Sequence, residues 1–302
     1  MFLIPNLVRL WGYLLHNLRK YLRGWDSGDI SGFEEPLKGA LGKGTLWEQN
    51  EPESGTDNQR EKTRVLLEEC FIYTNLVPIW VEDGEGMVRI SFDDECGSSS
   101  LVGRYCQRAP PKSATTNLEN ISSATRQPSL EEAFIILHEC GHIFGFIHEH
   151  QAPARPKHFN FIESEVQREF GKDGHRWSRE ETRKNVTRPH QQKHIENCSQ
   201  FDRNSIMMYR FPASLTYEGV GTPLNTKLSD IDKAVLTLNY ARLEPHLKAP
   251  NWTVAYAVDI LGIEGELKEK IVSSKDCRDI RAYYTEWSTQ QMESLDGKCI
   301  VS

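Results

Sequence analysis

The sequence predicts an α+β fold, and three segments carry that prediction. Residues 58–74 place apolar side chains at helical spacing, which is typical of an amphipathic helix. Two short β-rich runs, 79–81 and 87–92, follow it and are separated by turn residues, so they indicate strands. A capped apolar segment that begins at Ser129 predicts another helix with a buried face. We therefore expect helices packed against a small sheet.

The composition excludes several classes of protein. The chain has 302 residues, of which 38% are hydrophobic and 26% charged, so disorder as the main state is excluded. The formal net charge of −7 provides no basic field, so no nucleic-acid partner is expected. No stretch reaches the roughly 18 to 20 apolar residues of a transmembrane span. The seven cysteines are an odd number, so at least one is unpaired within the chain.

Residues 1–25 differ from the rest of the chain. Leucines recur at spacings of three or four, and the opposite side is basic, without an acidic residue before Asp26. This pattern suits contact with a membrane surface, an organelle transit segment or docking on the protein itself, and these alternatives stay open. Arg9 interrupts the apolar run, so a secretory signal peptide fits poorly. Four Asn-X-Ser/Thr tripeptides would be usable on a secreted route, and localisation stays open.

Residues 26–44 indicate a linker or a small pro-segment, because glycines and charges alternate there without a period. We therefore expect an N-terminal segment over 1–44 and folded sequence from about Thr45. Residues 115–118 predict another short strand.

The informative segment is 128–150, with the sequence PSLEEAFIILHECGHIFGFIHEH. Ser129 and Glu132 form the pattern of a capping box, so a helix is expected to start there and run to about Phe144. Cys140 follows a histidine by two residues and points about 200° away from it around the helix, so it is predicted to lie in the core.

Histidines in this segment have the spacing of a metal site. His138 and His142 lie one turn apart on one helix face, so both imidazoles can reach a single ion. Gly145 can adopt the left-handed conformation that ends a helix, which lets His148 return as a third ligand. Three neutral nitrogens predict one catalytic zinc ion with a position open for water. Glu139 is placed to contact that water.

The full pattern HExxHxxGxxH resembles the astacin-like zinc metallopeptidases, a branch of the metzincins. Residues 205–209, SIMMY, are similar to the Met-turn of that family. The resemblance implies that Met207 lies beneath the imidazoles as a hydrophobic floor. It also implies that Tyr209 approaches the zinc ion and binds the tetrahedral intermediate.

The resemblance also implies the architecture. Residues 45–245 would form a peptidase domain with a twisted N-terminal sheet, backing helices and the zinc helix, followed by an irregular C-terminal subdomain. An extended polypeptide substrate would lie in the cleft between the subdomains. Its backbone is expected to pair with an edge strand formed by Thr116, Asn117 and Leu118. Gly145 and Glu149 would support the site structurally, as Met207 does.

The implied function is zinc-dependent endopeptidase activity, with Glu139 as general base and the protein acting as a monomer. Met208 stands where the family usually has a histidine, and 151–156 reads QAPARP in place of a stretch rich in arginine and aspartate. Both departures indicate microbial or fungal relatives. His150 and His158 are expected at the surface or behind the ligands.

Two other functions are weighed against this one. A zinc-bound recognition module without turnover would have no need of a carboxylate at Glu139. A metallopeptidase with two histidine ligands and one glutamate would keep its metal without His148.

Residues 250–302 lie beyond the resemblance. Three apolar stripes predict three short helices, which either pack on the peptidase or form a small appended module. The stripes are Val254, Val258 and Leu261; Leu267 and Ile271; and Ile280, Tyr284 and Trp287. Sequence alone leaves open whether Cys277 and Cys299 form a disulfide.

Overall fold

A computed structural model describes residues 46–48, 55–81, 86–94, 97–156, 159–172, 177–191 and 195–298. The expected N-terminal segment 1–44 lies outside the described residues, as do His158 and Cys299. Among the residues described, no helix combines the length and the apolar character needed to cross a membrane.

A four-stranded sheet forms the N-terminal part of the fold. Its strands are β1 (Leu46–Glu48), β2 (Val88–Ser91), β3 (Ser99–Ser100) and β4 (Thr116–Asn117). The spatial order is β1-β2-β4-β3, with β1, β2 and β4 parallel and β3 antiparallel to β4. The predicted strands at 87–92 and 115–118 are confirmed as β2 and β4. The run 79–81 is not part of this sheet, and β1 was not predicted.

The expectation that Thr116, Asn117 and Leu118 form the edge strand is wrong. Strand β4 lies between β2 and β3, so its backbone is already paired on both sides. The three side chains are 2%, 7% and 1% exposed, which leaves no surface for a substrate. The edge position next to β4 belongs to β3, because that strand has only β4 as a neighbour in the described sheet.

Eight α-helices are described. They are α1 (Asp57–Phe71), α2 (Leu130–Ile143), α3 (Glu163–Phe170), α4 (Arg179–Thr182), α5 (Asp230–Asn239), α6 (Val254–Ile260), α7 (Gly265–Ser273) and α8 (Cys277–Lys298). The predicted helix over 58–74 is α1, which ends three residues earlier. The predicted capping box of Ser129 and Glu132 is present at the start of α2, and Phe144 is the C-terminal cap.

The main hydrophobic core lies between the sheet and helices α1 and α2. Leu67 of α1, Ile90 of β2 and Leu137 of α2 are all at most 2% exposed and belong to one cluster. Cys140 is fully buried in the same cluster, so its predicted core position is confirmed. This packing fixes α2 with one face against the core and leaves its other face for the histidines.

Two further clusters complete the fold. Aromatic side chains, among them Phe161, Phe170 and Phe211, form the core of the chain between α2 and α5. The three predicted C-terminal helices are present as α6, α7 and α8, of which α6 and α7 are short as expected and α8 is longer, with 22 residues. They pack on α5 through a shared cluster, so they take the first of the two expected arrangements, packing on the preceding part of the chain.

Candidate active site

Helix α2 presents two histidines from neighbouring turns. The rings of His138 and His142 lie with centroids 4.9 Å apart and planes at 90°. They are 5% and 8% exposed, so both are largely removed from water.

The chain after α2 brings in the third histidine. Gly145 has φ of 93°, a left-handed conformation that a side chain rarely adopts, and it follows the last turn of the helix. The Phe146 amide donates to the Gly141 carbonyl at 2.9 Å, which fixes the reversal of the chain. His148 then returns, and its Nε2 lies 3.2 Å from Nε2 of His142. Ligand nitrogens of the three histidines all lie within 4.8 Å of one another.

Backbone carbonyls determine which ring nitrogen faces inward. Nδ1 of His138 donates to the Ile206 carbonyl at 2.9 Å, and Nδ1 of His142 donates to the Phe146 carbonyl at 2.8 Å. Because a carbonyl oxygen can only accept, the proton of each neutral ring lies on Nδ1 and the lone pair on Nε2. The inward nitrogens are therefore the ones able to bind a metal ion.

Burial keeps all three rings neutral. It lowers the pKa of His142 to about 4, and it lowers the pKa values of His138 and His148 well below the usual value, with nearby histidines adding to the effect for these two. Three neutral imidazole nitrogens that converge from a helix and the following turn are the donor set of a catalytic zinc site. The residues present therefore fit a zinc ion.

Glu139 lies beside the first histidine with its carboxyl group buried. Its side chain is 4% exposed, and Oε2 has no hydrogen-bond partner among the described residues. Burial raises the pKa of Glu139 to about 8, while a hydrogen bond with the Ser100 hydroxyl acts in the opposite direction. Ser100 belongs to edge strand β3, so the carboxylate lies next to the edge of the sheet.

Tyr209 also contacts two of the three histidines. Its hydroxyl lies 2.6 Å from Nε2 of His148, and its ring is 5.5 Å from that of His138. Burial raises the pKa of Tyr209 well above the usual value, and the nearby Glu139 carboxylate adds to the effect, so the phenol keeps its proton.

Met207 packs directly under α2. It is 2% exposed, and a Cβ added at Gly141 would lie only 2.2 Å from its Sδ. Only glycine at position 141 leaves room for this sulfur. Met207 therefore lies against the helix at Gly141, between His138 and His142.

Of the two positions expected for His150, at the surface or behind the ligands, the structure shows the second. The 3₁₀ turn Glu149–Gln151 carries its ring inward, where it is fully buried, lies tilted against the Tyr209 ring at 4.3 Å and stacks on His148 at 5.2 Å. It is not part of the three-histidine group, so it backs the site without joining the ligands. The Glu149 carboxylate accepts from the Asp202 amide at 2.8 Å, and burial raises its pKa to about 8.

Two residues that contact the site were not predicted from the sequence. No sequence pattern around Ser100 predicts its position beside Glu139, because that position depends on the order of the strands in the sheet. Asp232 contacts the Met-turn through Ser205 and Ile206. Its capping-box spacing from Ser229 predicts the start of a helix, but it does not predict this contact.

Comparisons with known proteins agree with this geometry. Residues 58–235 match the model of the astacin family of peptidases. A structure of myroilysin has 26% sequence identity and a TM-score of 0.62, over 67% of this chain and 94% of that chain. A crystal structure of myroilysin has 23% identity and a TM-score of 0.48, over 72% and 98%.

The structure of high choriolytic enzyme 1, a hatching enzyme zinc-protease from the medaka fish Oryzias latipes, is similar at 15% identity with a TM-score of 0.44, over 71% of this chain and 97% of that chain. No curated protein sequence matches the chain. The family match spans more than half of the residues and includes the three-histidine group. The chain therefore belongs to the astacin family of peptidases and is a zinc metallopeptidase that acts on polypeptides.

Proposed function

We propose that this peptidase cuts internal peptide bonds with His138, His142 and His148 as zinc ligands and Glu139 as general base. The observation that supports it is the convergence of three histidine nitrogens, those of His138 and His142 with inward lone pairs, beside a buried carboxyl group with an unpartnered oxygen. A glutamate ligand in place of His148 finds no support, because the three ring nitrogens already supply the protein ligands of a catalytic site.

Zinc, when bound, supplies a Lewis acid that activates water and polarises the peptide carbonyl. Glu139 accepts the proton of the attacking water at Oε2, the oxygen without another partner, and then delivers it to the departing amine. The Ser100 hydroxyl lies beside the carboxyl group and favours its ionised form, because it lowers the pKa of Glu139. A recognition module without turnover would have no need of Glu139 as a general base.

Tyr209 acts as the donor to the developing oxyanion. Its hydroxyl is protonated and already lies at the point where the histidine nitrogens meet, 2.6 Å from His148. A preorganised donor aimed at a site of growing negative charge lowers the barrier more than one that must reorient from water. Met207, Gly145 and Glu149 support the site structurally and do not contact the substrate.

The substrate backbone is proposed to pair with β3 in place of the buried residues 116–118. Strand β3 is antiparallel to β4 and lies at the edge of the described sheet, so its other side can accept an extended polypeptide. Ser100 of β3 is hydrogen-bonded to Glu139. A peptide added at this edge would therefore run past the general base.

Replacement of Glu139 by Gln tests the assignment. We expect cleavage of a denatured protein substrate to fall by at least about 100-fold, the contribution of general base catalysis, at unchanged zinc content. Glu119→Gln is the matched control, because Glu119 is also buried and has an unpartnered oxygen but lies beside Asp93 and Asp94. An unchanged rate in Glu139→Gln at full zinc loading would refute the role.

The proposal also covers the branch of the family to which the chain belongs and the bounds of its domains. Met208 stands in place of the histidine usual in the family, and on this ground we assign the chain to the microbial or fungal branch. We assign the peptidase domain to 45–245, the helical extension to 250–302 and the N-terminal segment to 1–44. The protein is expected to act as a monomer.

A further inference from the structure

The Met-turn, residues 205–209, holds two of the proposed zinc ligands through backbone carbonyls. The Ile206 carbonyl accepts from Nδ1 of His138 at 2.9 Å. The next carbonyl, that of Met207, accepts from the amide of Glu149 at 3.1 Å, and Glu149 directly follows His148. The placement of these two carbonyls therefore sets the positions of both ligands.

The amide groups of the same turn depend on one carboxylate. Oδ2 of Asp232 accepts from the Ile206 amide at 2.8 Å, and Oδ1 accepts from the Ser205 hydroxyl at 2.7 Å. That hydroxyl in turn accepts from the Met207 amide at 3.0 Å. Asp232 is 4% exposed, so water does not replace these bonds.

Asp232 is itself held by the first turn of α5. Its Oδ2 accepts from the Ser229 amide at 2.9 Å, and its own amide donates to the Ser229 hydroxyl at 2.9 Å. The carboxylate therefore serves the helix cap and the Met-turn together, and it lies on a regular element packed into a core.

We propose that Asp232 is a positioning residue of the zinc site, which orients His138 and His148 by fixing the two carbonyls of the Met-turn. This inference rests on the proposed ligand set. Groups that hold metal ligands in place typically change metal affinity by about 10- to 100-fold when they are removed.

The test is the zinc affinity of the full-length protein, measured by competition with a chromophoric chelator. We expect Asp232→Ala to weaken zinc binding by about 10-fold or more. Asp232→Asn should stay within a few-fold of the wild type, because the amide oxygen can accept from Ile206 and Ser229 while its NH₂ group donates to Ser205. Substitution of cobalt for zinc gives a second readout, since its visible absorption spectrum reports the ligand geometry.

Ser229→Ala is the matched control. It removes the other half of the capping box but leaves all bonds from Asp232 to the turn, so zinc affinity should be unchanged. Equal weakening by Ser229→Ala, or wild-type affinity and cobalt spectrum in Asp232→Ala, would overturn the inference. Should Asp232→Ala not fold, Ser205→Ala removes the hydroxyl that connects the Met207 amide to Oδ1 of Asp232 and leaves the bond from the Ile206 amide in place, and an unchanged affinity there would also overturn it.

Failure of the proposed ligand set gives a different result. In that case the wild type would bind no stoichiometric zinc, or His138→Ala would bind zinc as tightly as the wild type. Failure of the inference alone leaves wild-type binding intact and dependent on His138.

Discussion

A buried ion pair joins α1 to the start of the zinc helix α2, and its removal should be costly. Lys62 Nζ lies 2.7 Å from Oε1 of Glu132, and the two side chains are 0% and 6% exposed. The Glu132 carboxylate also accepts from the amides of Ser122 and Ser129, each at 2.6 Å. Lys62→Met would remove the cation and leave the carboxylate buried among neutral groups.

The expected cost follows from this burial. Removing one partner of a buried pair costs about 3 to 5 kcal/mol, because the other charge is left uncompensated. Lys62→Met should therefore lower the free energy of unfolding at pH 7 by about that amount. Arg64→Met is the control from the same helix. Arg64 lies 3.9 Å from Glu68 with both side chains more than 40% exposed, so its loss should change stability by less than about 1 kcal/mol.

The effect should depend on pH. Burial alone raises the pKa of Glu132, but hydrogen bonds from Lys62 and from the two amides outweigh it, so the folded pKa lies below the usual value. The stability that the ionised pair provides is therefore present above the unfolded pKa, about 4.3, and is lost as pH falls through the folded pKa. The difference between wild type and Lys62→Met should shrink below about pH 4.

Urea unfolding followed by tryptophan fluorescence at pH 7 and at lower pH values measures both quantities. Zinc should be held at one saturating concentration, so that metal binding does not differ between samples. A Lys62→Met protein within about 0.5 kcal/mol of the wild type at pH 7, or a difference that grows on acidification, would refute the reasoning.

Three further predictions follow from the packing. Gly141→Ala should destabilise the protein by about 1 to 3 kcal/mol, because the added Cβ would lie 2.2 Å from Sδ of Met207. A thermal unfolding midpoint equal to that of the wild type would show that this strain is absent. Ile271 is fully buried in the core of the extension, so Ile271→Ala should lower the free energy of unfolding in urea by about 2 to 5 kcal/mol. Its neighbour Val272 is 41% exposed, so Val272→Ala should change the free energy of unfolding by no more than about 0.5 kcal/mol. Chelation of zinc should lower the unfolding midpoint. Relative to protein at a free zinc concentration of about 1,000 times the dissociation constant, the free energy of unfolding should fall by about 4 kcal/mol. An unfolding midpoint that does not change on addition of chelator would count against a zinc site in the folded state.

The sequence could predict the features that are local. His138 and His142 share a helix face because they are four residues apart, and Gly145 allows the reversal that returns His148. The cap at Ser129 is equally local, since both of its hydrogen bonds join residues three apart. These features depend on backbone geometry within a few turns, so spacing alone determines them.

The features that the sequence could not predict depend on contacts between distant segments. Thr116 pairs with Ile90 on one side and Ser100 on the other, and no pattern inside 115–118 shows that both partners are present. The sequence left two positions open for His150, and its contact with Tyr209, far downstream, selects the buried one. Residue type could not choose between them, because a histidine at this point of the motif suits either a surface or a buried position.

Helix α5 shows why the helical extension is not separable from the catalytic region in energetic terms. Ala234 and Leu238, on the catalytic side of the expected boundary, are fully buried in one cluster with Ile271 and Tyr284 of the extension. Unfolding of the extension would therefore uncover one face of α5, whose first turn carries Asp232. Because that carboxylate holds the Met-turn, loss of packing in residues 250–302 should reach the zinc site, even though those residues contain no catalytic motif.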